Sequence, residues 1–147
     1  MPLYNNNSND IMLSYLEINE EHNHSIDKCS VNATNAPVFT ASTASWAYGG
    51  YVEVIAAGAV SNPFDIHYIN AGAVSDVGTY QYQLAQGTAG NESLIATGRI
   101  ARLSVQSGAM SVPTQTPVLD AGTRVSMRIA SNVTSSTLVA SVQYHEY

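Results

Sequence analysis

His22-Asn23-His24, with Glu20, Glu21 and Asp27 close by, is the grouping in this chain most like a metal site. Histidines two apart share one face of a strand, and imidazole with carboxylate suits zinc and related ions. In a stretch this polar, with no β core around it, the pair reads as a solvated loop, and neither a metal nor another cofactor is expected. Asp65 and Glu53 are carboxylates that neighbouring strands could bring face to face, the arrangement a glycosidase needs. Isolated acids on a solvent face are the simpler reading. Serines are plentiful, yet no Gly-x-Ser-x-Gly elbow or other nucleophile signature accompanies them. His67 and His145 read as outward-facing polar residues, and the chain is expected not to be an enzyme.

What remains is the chemistry of contact. Trp46, Tyr48 and Tyr51 gather around Gly49-Gly50, where aromatic rings stack on sugars or pack into a partner. Thr123-Arg124-Val125-Ser126-Met127-Arg128-Ile129 alternates, so that Val125, Met127 and Ile129 turn inward and Arg124, Ser126 and Arg128 share the opposite face. Acid is concentrated elsewhere: Asp10, Glu17, Glu20, Glu21 and Asp27 precede the first basic residue, Lys28, whereas Arg99, Arg102, Arg124 and Arg128 all lie in the later half. Arg124 and Arg128 are therefore expected to meet acid on an adjacent chain, at Glu17, Glu20 or Glu21. An exposed pair of this kind is worth only ~0–1 kcal/mol unless an interface desolvates it.

The elements that must carry these residues divide the chain in two. Residues 1–36 are rich in Asn and Ser and read as an extended polar arm, with one apolar cluster from Ile11 to Ile18 that fits a short helix over Ile11 to Glu21 capped by Asp10. From Val38 onward the period is two, and turn signals recur at short intervals. Strands are predicted near Phe39, over Tyr51–Ala56, Phe64–Ile69 after Ser61-Asn62-Pro63, Thr79–Leu84 after Asn70-Ala71-Gly72, Leu94–Val105 with a bulge at Gly98, Thr123–Ile129 and Leu138–Tyr144. Met110–Leu119, with Pro113 and Pro117, is placed at a sheet edge. Within the strands Phe64, Ile66, Tyr68, Tyr80, Tyr82 and Leu84 are expected inward. About eight strands over 37–147 predict an all-β, jelly-roll-like antiparallel sandwich behind the arm.

Bulk properties narrow the function. Charged residues are only 11% of the chain, well below the roughly 25% of ordinary soluble domains, and such a surface suits packing against neighbours. A net charge of −6 provides no basic face for nucleic acid or for anionic membrane, so neither partner is expected. Cys29 is the only cysteine, which excludes an intrachain disulfide, and the start Met1 to Asn7 has neither the basic residues nor the apolar run of a signal peptide. Folding in a reducing cytoplasm is the expectation.

Phe64-Asp65-Ile66-His67, the run Gln115-Thr116-Pro117-Val118-Leu119-Asp120-Ala121-Gly122-Thr123-Arg124-Val125-Ser126-Met127-Arg128-Ile129-Ala130-Ser131 and the ending Val142-Gln143-Tyr144-His145-Glu146-Tyr147 together resemble small jelly-roll virion proteins of tailed bacteriophages. The resemblance covers residues 50–147 and is one of strands and turns. It implies a structural accessory protein made in the cytoplasm of a bacterial host: a capsid decoration or cement protein, forming a homotrimer on the head and binding the major capsid protein, with the arm reaching over the shell. A receptor- or carbohydrate-binding module of a tail or fibre, using Trp46 and Tyr48, is the alternative.

Overall fold

The computed structural model describes residues 28–29, 37–105 and 108–147. The helix expected over Ile11 to Glu21 lies outside them. The chain forms strands wherever apolar and polar side chains alternate: β1 (Lys28–Cys29), β2 (Val38–Thr40), β3 (Val52–Ile55), β4 (Phe64–Val74), β5 (Gly78–Gln86), β6 (Ser93–Arg102), β7 (Met110–Pro113), β8 (Val125–Ser131) and β9 (Thr137–Glu146). Among the described residues there is no helix.

Two antiparallel sheets result. In the five-stranded sheet β9 pairs with β4, β4 with β7, and both β1 and β2 lie along the other side of β9. In the four-stranded sheet the order is β3-β8-β5-β6. Taking β1 and β2 as one interrupted edge strand leaves eight, paired first-eighth-third-sixth and second-seventh-fourth-fifth. That order is the double Greek key of a jelly roll, as the strand count predicts. The interrupted edge begins at Lys28, inside the stretch read as the arm.

The inner faces meet in one core. Phe39, Phe64, Ile66, Ile69 and Leu138 come from one sheet and Tyr80, Leu84, Val125, Met127 and Ile129 from the other, none more than 1% exposed. Burying an aliphatic or aromatic side chain this fully stabilises by roughly 1.5–3 kcal/mol. The alternation that sends Val125, Met127 and Ile129 inward holds as expected.

Strand details depart from the sequence expectation at three places. The β4–β9 register slips between Ile66 and Tyr68, so His67 is an extra residue, Ile69 and Ala71 take over the inward positions, and Tyr68 lies half-buried instead of in the core. Asn70-Ala71-Gly72 is not a turn, because β4 runs through it and reverses only after Val74. Gly98 is not a bulge either: it sits in regular register opposite Tyr82, and the irregularity falls between Leu84 and Ala85.

Gly98 is glycine for another reason. The Tyr82 ring folds over it, and a Cβ there would lie 2.7 Å from Cε1 of that ring. Lying flat, Tyr82 shares a 2.5 Å hydrogen bond with Thr114 on the segment after β7, so one buried phenol ties the two sheets. Gly98→Val should therefore destabilise by about 1–3 kcal/mol through overpacking, whereas Tyr82→Phe should cost about 1 kcal/mol for the lost hydrogen bond. Urea unfolding of both variants against the wild-type chain checks the order.

Candidate interaction face and polar cluster

The outer face of the four-stranded sheet collects Arg99, Arg124 and Arg128 together with Trp46, Tyr48 and Tyr51. The segment ahead of β3 is pinned along β8 by two backbone bonds: the Trp46 amide donates to the Ser131 carbonyl at 2.8 Å and the Gly49 amide to the Ile129 carbonyl at 2.9 Å. Glycine is required at 49, where a Cβ would collide with the Thr40 carbonyl. Pinned in this way, Tyr48 and Tyr51 converge on Arg128, whose Cζ lies 4.8 Å and 4.4 Å from their ring centroids. Arg128 Nε donates to Gln83 Oε1 at 2.9 Å, and Gln83 is its cross-strand partner on β5. Three neighbours thus hold one guanidinium, and among the described residues no acceptor meets its Nη1 or Nη2.

Trp46 sits at φ 61°, a left-handed conformation that costs a bulky residue on the order of 1–3 kcal/mol. The strain presents the indole at the surface, 45% exposed, with Arg99 of β6 stacked 5.3 Å from its centroid. Arg124 differs. Its Nε donates to Glu53 at 2.7 Å, its Nη1 donates to the Gly87 carbonyl at 3.0 Å, and Glu92 lies 3.6 Å from Nη1. The face also holds two hydroxyls buried without a hydrogen-bond partner, those of Tyr48 and Ser126.

Trp46, Tyr48, Arg124 and Arg128, singled out in the sequence, therefore do share a face. The acid expected opposite Arg124 on a neighbour is already supplied within the chain by Glu53, which β3 places beside β8. Glu17, Glu20 and Glu21, and His22 and His24, lie outside the described residues.

A second cluster, which alternation alone did not reveal, occupies the outer face of the five-stranded sheet. Asp65 on β4 stands opposite His145 on β9 and is buried, 3% exposed, not a solvent-face acid. Its Oδ2 accepts from the Gln115 side-chain amide and from the Tyr147 hydroxyl, both at 3.1 Å, and His67 Nε2 lies 3.0 Å from Oδ1. The imidazoles of His67 and His145 stack 5.6 Å apart, and Tyr147 meets His145 edge-on. His145, expected to point to solvent, is 6% exposed. Glu53 is on the other sheet, so it forms no carboxylate couple with Asp65.

Beside the cluster His67, Tyr68, Pro113, Thr114 and Gln115 line an open groove of about 400 Å³. Among the described residues no group of three His, Cys, Asp or Glu side chains is placed to hold a metal. The sequence did carry a signal: Asp65 and His67 two apart, His145 and Tyr147 two apart, on strands whose antiparallel pairing brings both pairs to one face.

No family model matches the chain, and no curated protein matches its sequence.

The Tyr147 hydroxyl is pushed above its ordinary range by burial, by the Asp65 charge and by its hydrogen bond to that carboxylate. A folded-state pKa raised above the unfolded one contributes stability fully present below about pH 10 and lost as pH rises through the raised value. Because Tyr147 is 59% exposed, screening holds the contribution below about 1 kcal/mol. Tyr147→Phe should be less stable than wild type by that margin at pH 8, and the gap should close above about pH 10, as read by urea unfolding at both values.

Proposed function

We propose that the protein is a structural virion protein, a decoration or cement protein of a phage head, whose jelly-roll body forms a homotrimer and binds the major capsid protein with help from its N-terminal arms. The observation that carries the reading is the outer face of the four-stranded sheet, where a strained, displayed Trp46 and a clamped Arg128 sit among Tyr48, Tyr51 and Arg99. Trp, Tyr and Arg are the side chains in which interface hot spots are richest. The jelly roll itself is an architecture of capsid and lectin domains.

The sheet edge supports the same reading. β6 runs ten residues at the border of its sheet, and among the described residues nothing pairs with its outer side. Leu94 on it and Leu103 just after it are 52% and 89% exposed. A long apolar edge of this kind is an association site unless something covers it. In this reading the work is mechanical, on the capsid surface, with buried area as its energy source.

The groove at His67, Tyr68 and Gln115 favours a second reading, a carbohydrate-binding module of a tail or fibre, since about 400 Å³ falls within the usual range of small-ligand sites. Sugar would then seat there, because Arg128 already covers the Tyr48 ring.

Light scattering of the pure protein, and its co-sedimentation with capsids lacking it, test the main reading. The expected results are a trimer and saturable capsid binding, with Trp46→Ala weakening one or both at least about tenfold. A monomer that ignores capsids overturns the proposal, and glycan binding abolished by Tyr68→Ala replaces it with the second reading.

A further inference from the structure

We propose that Arg128 is a carboxylate receptor whose occupant is the acidic stretch Glu17-Ile18-Asn19-Glu20-Glu21 of a second copy of this chain. The inference rests on the assembly reading above and names the contact through which copies join.

The receptor is built before any ligand arrives. Gln83 takes the Nε hydrogen and the rings of Tyr48 and Tyr51 approach the guanidinium, fixing a side chain that otherwise loses much rotamer freedom on binding. What stays unused is Nη1 and Nη2. Arg is suited to this role because its planar fork matches a carboxylate with two parallel N–H donors, and flanking rings limit access by water.

The face around Arg128 is rich in donors and short of acceptors. Its two acids, Glu53 and Glu92, are both committed to Arg124. Arg99 rests on Trp46, and among the described residues it has no ion-pair partner. A partner must therefore bring negative charge.

The chain carries that charge in a separate place. Residues 1–27 contain Asp10, Glu17, Glu20, Glu21 and Asp27 and no Lys or Arg, in a protein of net charge −6. Glu17, Glu20 and Glu21 concentrate three carboxylates within five residues. Lys28, which follows the stretch in sequence, lies in β1 of the five-stranded sheet, whereas Arg128 belongs to the four-stranded one. Three such contacts around a trimer would reinforce one another through effective concentration.

The test uses full-length protein at low salt, followed by sedimentation velocity. Wild type, Arg128→Gln, and the triple variant Glu17→Gln/Glu20→Gln/Glu21→Gln are compared alone and as a one-to-one mixture of the two variants. Wild type should associate, each variant alone should associate at least tenfold more weakly, and the mixture should recover pairs, because one chain still has the receptor and the other the acids. Arg128→Lys, which keeps the charge and loses the fork, should resemble Arg128→Gln, and far-ultraviolet circular dichroism confirms that each variant is folded. If both variants associate like wild type, the inference falls while the assembly reading stands. A mixture that recovers nothing overturns it in favour of the arm binding its own chain. A monomeric wild type that associates only with capsid overturns it in favour of acid on the capsid protein, and one that ignores capsid removes the assembly reading as well.

Discussion

The fold depends on its last strand. β9 has β4 on one side and both β1 and β2 on the other, so the five-stranded sheet is incomplete until nearly the whole chain exists. Lys28 pairs with Tyr144 and Phe64 with Glu146, contacts that close long loops before they return any burial. Such topologies fold slowly because loop-closure entropy is lost first. The compensation is a core to which both sheets contribute, tied across by Tyr82 and Thr114.

On that frame each outer face has its own chemistry. β4 and β9 bring Asp65, His67, His145 and Tyr147 together, and the buried carboxylate is surrounded by the amide, phenol and imidazole that offset its desolvation. Both donated bonds go to Oδ2, and among the described residues Oδ1 makes no hydrogen bond. On the opposite face Arg124 is satisfied by Glu53 and a backbone carbonyl, but Arg128, four residues on, has aromatic faces where Arg124 has acids. The same residue type is held by acids at one position and by aromatic rings two outward positions further along.

Much of this was legible in the sequence. Period-two alternation located the strands from Phe39 to Tyr144, Pro113 marked an edge, and the inward Val125, Met127 and Ile129 put both arginines on one face. Local pattern failed where a partner strand decides the outcome. The extra residue at His67 exists only relative to β9, and Gly98 is glycine because Tyr82 of the neighbouring strand lies over it, which reads along the chain like a bend. Asp65 looked exposed for the same reason: its burial comes from Gln115 and Tyr147, far away in sequence. Likewise the Trp46, Tyr48 and Tyr51 cluster was visible, but its pairing with Arg99 and Arg128 needed the β3–β8–β5–β6 order.

A strained backbone and two buried hydroxyls without a partner meet on the face around Arg128. Among the described residues Trp46 is one of two non-glycine residues with positive φ, the other being Ser135, and its strained backbone holds an aromatic ring in water where a core position would have rewarded burial. Tyr48 and Ser126 each bury a hydroxyl without a partner, a cost of about 1–3 kcal/mol apiece. Stability alone would favour smaller residues at all three positions. On the proposed reading the indole, the phenols and the arginine are ordered in advance, so an acidic segment docking there would lose little of its affinity to fixing them.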